Sequence, residues 1–239
     1  MKLYTTIRIK SVLFALALAT LLTGAAVSIK LNRAAAQEKA AQGRRVSPRP
    51  AAAEQFTVAV EPSEEVLNFR QAFTNSIFRT RTLRFDVSEN AKRFIFDETP
   101  LHADGAPAYG NEFVTEGYLY IPGTLNGTDG VNADGSPQYP DKVVGRWTCR
   151  GWHTGEGAKT VTGPWVVTHQ VYDFGAKPGQ SMIVSDGLEV VDLNEPILRA
   201  ISGGTGAFSQ SRGEVRQTMI GFNQLNGVNL RLEIKVQNP

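Results

Sequence analysis

Regular alternation of hydrophobic and polar residues marks the C-terminal part of the chain. In residues 228–236 every second side chain is aliphatic, and the residues between them are polar or charged. A period of two places the aliphatic side chains on one face of a β-strand. The same period occurs in residues 214–219, and Asn226-Gly227 between the two segments is a typical hairpin turn. The pattern therefore predicts two amphipathic strands joined by a tight turn.

Six earlier segments also have strand-like patterns, and stretches rich in Gly, Pro, Asn and Asp separate them. They are residues 83–88, 112–121, 143–152, 165–174, 181–192 and 197–202. Successive strands without intervening helices are typical of an all-β sandwich or barrel. A barrel would remove the exposed edges of such a meander. Periodicity alone does not choose between the two.

A different period precedes the strands. Ser63 is a typical helix N-cap, and apolar residues follow at intervals of three or four positions, at Val66, Phe69, Phe73 and Ile77. This spacing predicts a short amphipathic helix immediately before the barrel.

The first 36 residues have the order of a secretory signal peptide. A basic start precedes an apolar run at residues 11–29, and small residues at 34–36 follow it. The alternative is an uncleaved membrane anchor, because the run is almost long enough to span a bilayer. The first interpretation predicts a secreted or periplasmic protein, and the second predicts an anchored protein that faces outside.

Composition then divides the chain into three parts. Residues 1–36 are the signal peptide or anchor. Residues 37–80 are predicted to be a linker that contains the short helix, because their first part is rich in Ala, Arg, Pro and Gln. Residues 81–239 are predicted to form the barrel.

The charge of the chain argues against nucleic-acid binding. The first 36 residues hold five basic residues and no acidic residue. Removing these five from the 25 basic residues leaves 20 against 23 acidic residues, a net charge of −3. No basic surface is implied, so we expect no nucleic-acid partner.

Cys149 is the only cysteine in the sequence. One cysteine excludes an intramolecular disulfide and any multi-thiolate metal site. No other spacing of residues indicates a metal or a cofactor, so we expect neither. A lone thiol in an oxidising compartment is normally protected by burial, which predicts that Cys149 lies in the core.

Several stretches resemble the allene oxide cyclase and dirigent superfamily. Residues 200–208, Ala-Ile-Ser-Gly-Gly-Thr-Gly-Ala-Phe, are followed by Ser-Arg-Gly-Glu-Val at 211–215, and both are similar to the family's C-terminal signature. Residues 144–149 resemble its Val-Gly segment with a cysteine four positions after the glycine. Residues 118–120 and 171–175 resemble two of its aromatic strands.

This resemblance implies an eight-stranded antiparallel closed β-barrel with a mostly apolar cavity, often assembled as a homo-oligomer. The implied function is to bind a hydrophobic small molecule and to direct its cyclisation or stereoselective coupling. The alternative is a non-enzymatic ligand-binding or interaction barrel of the cell envelope. Contact with a membrane is expected only through an uncleaved N-terminal segment.

The resemblance also implies a catalytic carboxylate on the first strand. Asp86 occupies the acidic position there and would stabilise positive charge that develops on the substrate. Alternation supports another interpretation, because Leu83, Phe85 and Val87 form an apolar face and Asp86 lies opposite, as a solvated surface acid. The family's asparagine before its Leu-Tyr strand has no counterpart here, since Gly117 stands at that place.

Alternation in residues 143–152 places Trp147 and Cys149 on one face, and Arg146 and Arg150 mark the other face as the wet one. Trp147 and Cys149 should therefore point inward. We expect Trp147 to contact substrate and treat Cys149 as a second catalytic candidate, although core packing explains Cys149 equally well.

The remaining predicted substrate-binding residues are Glu116, Tyr118, His169 and Tyr172. His169 shares a face with Trp165 and would point into the cavity. A hydrogen-bonded core histidine is the alternative.

Overall fold

A computed structural model describes residues 61–74 and 80–237. The predicted signal peptide or anchor, and most of the predicted linker, lie outside these residues. Within the described ranges, no helix is long and apolar enough to cross a membrane.

Nine antiparallel strands follow one another along the described chain. They are β1 (Thr80–Glu89), β2 (Ile95–Phe96), β3 (Glu112–Tyr120), β4 (Val143–His153), β5 (Pro164–Asp173), β6 (Met182–Val190), β7 (Pro196–Gly204), β8 (Arg212–Phe222) and β9 (Val228–Gln237). Each of the eight predicted strand segments corresponds to one of these, and β2 is an additional short strand. Asn226 adopts the positive φ of 60° that the predicted turn between β8 and β9 requires.

Pairing between β1 and β3 closes the sheet into a barrel. The strands pair in the order β1-β9-β8-β7-β6-β5-β4-β3, and β2 lies outside this ring against β3. The predicted fold class, an eight-stranded antiparallel closed barrel, is confirmed. At the closure Glu89 is opposite Gly117, where a Cβ atom would collide with the Ser88 carbonyl oxygen. The glycine that interrupts the family's motif is therefore required by the close approach of these two strands.

The predicted helix closes one end of the barrel as α1 (Glu64–Thr74). The Ser63 hydroxyl accepts a hydrogen bond from the Val66 amide at 3.4 Å, as expected of an N-cap. Val66 is fully buried, and the Phe69 ring lies 6.4 Å from the Phe174 ring. Ile77 and the side chain of Phe73 lie outside the described part of the chain.

The glycine-rich stretch after β7 is a tight turn. Gly206 has a φ of 55°, and a Cβ there would collide with the carbonyl oxygen of Gln180. The turn directs Phe208 into the core, where it is fully buried and its ring lies 6.0 Å from that of Phe174. This stretch is therefore explained by packing at the α1 end of the barrel.

A long connection between β3 and β4, residues 121–142, covers part of the outer wall, and we call it the outer cap. Leu125 and Val131 of the outer cap pack with Tyr118 and Tyr120, which point outward from β3. The barrel therefore has two cores, one inside the lumen and a smaller one under the outer cap.

Candidate functional site

A small cavity occupies the end of the lumen opposite α1. Its walls are aromatic, formed by Phe94, Phe113, Trp147 and Trp165. The cavity volume is about 30 Å³, room for only a few water molecules. Phe94 follows the short helical turn at Ala91–Arg93, and its ring stacks on Phe113 at 5.3 Å with an interplanar angle of 14°. The segment after β1 therefore supplies one wall of the cavity.

Two buried carboxylates line this cavity, Glu89 and Glu189. Glu89 is the last residue of β1, and its side chain is held by the neighbouring strands on both sides. The Thr115 hydroxyl of β3 donates to Glu89 Oε1 at 2.7 Å, and the Val228 amide of β9 donates to Oε2 at 2.7 Å. These contacts fix the carboxylate at the cavity wall.

Glu189 belongs to a wider set of contacts. Its Oε1 accepts hydrogen bonds from the Thr168 hydroxyl and from Gln170 Nε2, the latter at 2.8 Å. Its Oε2 accepts from Gln217 Nε2 at 2.7 Å. Arg199 Nη1 lies 3.5 Å from Oε1, and the Arg199 side chain is fully buried. Glu189 and Arg199 therefore form a buried ion pair inside the barrel.

Gln170 links this ion pair to the aromatic wall. Its Oε1 accepts from Trp147 Nε1 at 3.1 Å and from the Tyr172 hydroxyl at 2.6 Å. Its Nε2 also donates to Gln217 Oε1 at 3.0 Å. The lumen therefore contains a buried polar network beside the cavity, whose own walls are mostly apolar, as expected. The polar residues of this network stand on inward-facing positions of β5, β6, β7 and β8.

Cys149 lies in the core as predicted, fully buried and at the cavity wall. Its sulfur is 3.9 Å from Glu189 Oε1. Burial, reinforced by the Glu189 carboxylate, raises the pKa of the Cys149 thiol well above its usual range. The thiol therefore stays protonated and is a poor nucleophile. A catalytic role for Cys149 stays a prediction.

Trp147 and Tyr172 both point into the lumen, and for Trp147 this agrees with its predicted direction. Trp147 lines the cavity itself. Tyr172 lies deeper, next to the Phe85 ring at 5.6 Å, and burial raises the pKa of its hydroxyl to about 12. Contact of either residue with a substrate stays a prediction.

Asp86 is not in the lumen. It points to the outer face of β1, where the outer cap buries it completely. Arg231 Nε donates to Asp86 Oδ1 at 3.0 Å, and the Leu125 amide donates to Oδ2 at 2.9 Å. The predicted luminal position is therefore wrong, because alternation turns Asp86 away from Phe85 and Val87. The solvated alternative is wrong as well, because the outer cap covers the carboxylate.

Glu116 and Tyr118 also point away from the lumen, because the inward residues of β3 are the alternate ones. Glu116 Oε2 accepts a hydrogen bond from Arg93 Nε at 2.6 Å on the partly exposed outer surface. The Tyr118 hydroxyl donates to the Gly135 carbonyl at 2.7 Å under the outer cap. Their predicted place in the cavity is wrong.

His169 is on the outer wall of β5, and its predicted direction is wrong. Its Nδ1 lies 2.9 Å from Asp186 Oδ1 at the surface. The error arises at Trp165, where an irregularity in the pairing of β5 with β6 shifts the register. Trp165 therefore reaches the cavity, while the alternation after it places Gln170, and not His169, inside.

A further histidine, His153, was not predicted as a site residue. It is buried at the end of β4 and lines the cavity. Its ring lies 5.2 Å from Phe113 and 6.0 Å from Trp165. The sequence alone could have indicated that His153 points inward, because His153 follows Trp147 and Cys149 at even spacing on β4.

No group of three or more His, Cys, Asp or Glu side chains within the described residues is arranged to hold a metal ion.

The chain has only low similarity to known proteins. No protein-family model and no curated protein sequence matches the chain. Among solved structures, a pyocyanin demethylase has 16% identity and a TM-score of 0.43, with 66% of this chain and 100% of that chain covered. A pterocarpan synthase dirigent protein has 17% identity and a TM-score of 0.48, covering 66% and 95%.

A third solved structure, the Diels Alderase AbmU from Streptomyces koyangensis, has 11% identity and a TM-score of 0.37, covering 80% of this chain and 84% of that chain. At such TM-scores none of the three bears on the chemistry of this lumen. Membership of the allene oxide cyclase and dirigent superfamily stays a prediction.

Proposed function

We propose that the barrel binds a compact, largely apolar organic molecule in its cavity and directs the cyclisation or stereoselective coupling of that molecule. The observation that carries this proposal is a buried carboxylate, Glu89, at the wall of an aromatic cavity. Such a cavity works by restricting the conformers of its ligand and by excluding water, and it needs few catalytic groups.

Glu89 is the group we assign to the chemistry. Hydrogen bonds from the two adjacent strands preorganise this carboxylate before a ligand arrives. A fixed carboxylate in a water-poor site stabilises positive charge that develops as a ring or a new bond forms. Glu189 is assigned to the wall, because Thr168, Gln170, Gln217 and Arg199 surround its oxygens.

The small volume of the cavity means that side chains move when a ligand enters. We propose that Phe94 moves first, because it belongs to the connecting segment after β1 and not to a strand of the ring. Its neighbour Ile95 is 50% exposed. Binding would then displace Phe94 from Phe113 and enlarge the cavity toward the open end of the barrel.

Ligand entry can be tested by NMR, because the three tryptophans of the sequence include two in the cavity and one outside it. Trp147 and Trp165 line the cavity, whereas Trp152 is 43% exposed on the outer wall. Titration with benzyl alcohol should shift the indole N–H signals of Trp147 and Trp165 and leave that of Trp152 unchanged. Equal shifts at all three signals, or none, would remove the support for the cavity as a binding site.

The directing function is tested with a panel of compact aromatic alkenes and phenols, screened first by the same NMR signals. Each alkene that binds is incubated with the protein alone, each phenol is incubated with the protein and an added one-electron oxidant that accepts the electrons of the coupling, and the products are analysed by chiral chromatography. We expect one cyclised or coupled stereoisomer in excess with the wild type and a racemic or unchanged sample with Glu89→Gln. Glu116→Gln, a change on the outer face, is the matched control and should behave as the wild type.

A non-enzymatic ligand-binding barrel is the second candidate function. It is favoured by the polar network around Glu189, whose contacts are all within the protein and resemble a structural core. Recovery of every bound compound unchanged from the wild type would support this candidate and overturn the directing function.

We also propose that residues 37–239 are exported. The support is the order of basic, apolar and small residues at the N-terminus. Expression of the full chain, followed by cell fractionation and N-terminal sequencing, should yield a product that begins near residue 37. An intact N-terminus in the membrane fraction would support the anchor, and an intact chain in the cytoplasm would contradict both.

A further inference from the structure

We infer that the cavity selects small aromatic molecules that carry a positive charge over neutral and anionic molecules of the same shape. This inference rests on the proposed function, since it names the class of ligand that the same cavity takes.

The formal charge of the side chains that line the cavity favours a positively charged ligand. Glu89 and Glu189 line the cavity, and no Lys or Arg is found among the described residues that line it. Both carboxylates accept hydrogen bonds at both oxygens. Arg199 lies beside Glu189 but is held in the wall by the carbonyl oxygens of Thr168 and Ser185. The surface that faces a ligand is therefore acidic.

The aromatic walls of the cavity also favour a positively charged ligand. The face of an aromatic ring carries a partial negative charge, so it attracts a cation and repels an anion. The rings of Phe94, Phe113, Trp147 and Trp165 line the cavity. The aromatic rings and the carboxylate therefore both attract a cation in this cavity.

Burial of the cavity determines how strongly it discriminates between charged and neutral ligands. Charges interact more strongly in a water-poor interior than in solution. An anionic ligand would lose its hydration and meet the Glu89 carboxylate, whereas an ammonium group would exchange water for that carboxylate and ring faces. The small volume further restricts the charged group to one such as –NH₃⁺ on a single aromatic ring.

The test uses three probes of nearly identical shape: benzylammonium, benzyl alcohol and benzoate. Dissociation constants are measured on the wild-type protein from the indole N–H signals of Trp147 and Trp165, with Trp152 as the internal control. We expect benzylammonium to bind about ten-fold more tightly than benzyl alcohol, and benzoate to bind more weakly than both. This series needs no variant, so it decides the charge preference even if a substitution at Glu89 impairs folding.

Variants then assign the preference to a residue. Glu89→Gln keeps an acceptor for Thr115 and removes the charge, so benzylammonium and benzyl alcohol should bind equally well. Glu116→Gln on the outer face should leave the ten-fold preference unchanged. A preference retained in Glu89→Gln would overturn the assignment to this carboxylate.

The outcomes separate the two proposals. Equal binding of benzylammonium and benzyl alcohol to the wild type would overturn the charge selection and leave the proposed binding function intact. Tighter binding of benzoate would overturn the charge selection as well. Failure of all three probes to shift the Trp147 and Trp165 signals would overturn both proposals.

Discussion

Asp86 and Glu89 are buried carboxylates on the same strand, three residues apart, but they belong to different regions of the molecule. Asp86 lies under the outer cap, where it binds the Leu125 amide and the Arg231 side chain. Glu89 lies in the lumen at the cavity wall. One carboxylate fastens a loop to the barrel, and the other forms part of the cavity wall.

The two regions also differ in what their polar side chains bind. Under the outer cap, Tyr118, Tyr120 and Asn90 donate to backbone carbonyls of the cap. These contacts supply partners for the backbone of the outer cap. In the lumen, Gln170 and Gln217 bind the Glu189 side chain. We place the function in the lumen because the cavity lies there.

The largest expected effect is loss of stability when the luminal ion pair is broken. Arg199→Ala leaves Glu189 as a buried charge without its cation and should cost about 3–5 kcal/mol of unfolding free energy. The measurement is denaturant unfolding followed by circular dichroism. Arg84→Ala is the control, because the Arg84–Glu233 pair is exposed and should contribute about 0–1 kcal/mol. Similar losses for both variants would contradict the importance of the luminal pair.

Asp86→Ala should have the next largest effect and should separate the two regions. It removes the acceptor for the Leu125 amide and a partner of Arg231, which should cost about 2–3 kcal/mol by the same denaturant measurement. The Trp147 and Trp165 shifts with benzyl alcohol should not change. Loss of ligand binding in a variant that remains folded would instead support the role for Asp86 that the family resemblance implies.

A smaller effect is expected from removing one hydroxyl in each region. Tyr172→Phe loses contacts with Gln170 and Ser185, and Tyr118→Phe loses one contact with the outer cap. We expect about 1–2 kcal/mol for the first and about 1 kcal/mol for the second from thermal or denaturant unfolding. A larger loss at Tyr118 would reverse the ranking of the two regions.

The same tyrosines predict how stability depends on pH. Burial raises the pKa of both Tyr118 and Tyr172 from 10.0 to about 12. Since the folded protein then favours the protonated hydroxyl, their contribution is complete below pH 10 and is lost as the pH rises through about 12. Each Phe variant should reduce this alkaline loss in unfolding measured against pH. An unchanged pH profile in both variants would contradict it.

An effect on stability about as small as that of Tyr118→Phe is expected at Cys149. Cys149→Ala removes a buried sulfur and should cost about 1 kcal/mol or slightly more. Selection of benzylammonium should not change, and iodoacetamide should label the wild-type thiol only when denaturant unfolds the protein. Loss of the directing activity in Cys149→Ala would show that this thiol takes part in the chemistry.

Local sequence patterns predicted the helix and the eight strands of the ring, but they predicted only some of the residues that line the cavity. Alternation placed the strands, turned Trp147 and Cys149 inward and turned Asp86 outward, because side-chain direction in a strand is a local property. It failed at His169, because the register shift at Trp165 depends on how β5 pairs with β6. Glu89 was missed because it is the next inward residue after Leu83, Phe85 and Val87, at the position where the apolar pattern ends.

The sequence by itself determined the eight strands of the ring, the helix with its Ser63 cap, and the turn at Asn226, since these depend on neighbours in the chain. Only the tertiary structure decided closure at Gly117 and burial of Asp86 under the outer cap. It alone also brought Glu89 of β1 and Glu189 of β6 to one cavity. These features arise from contacts between residues distant in sequence, and a local pattern carries no information about which distant residue will be opposite.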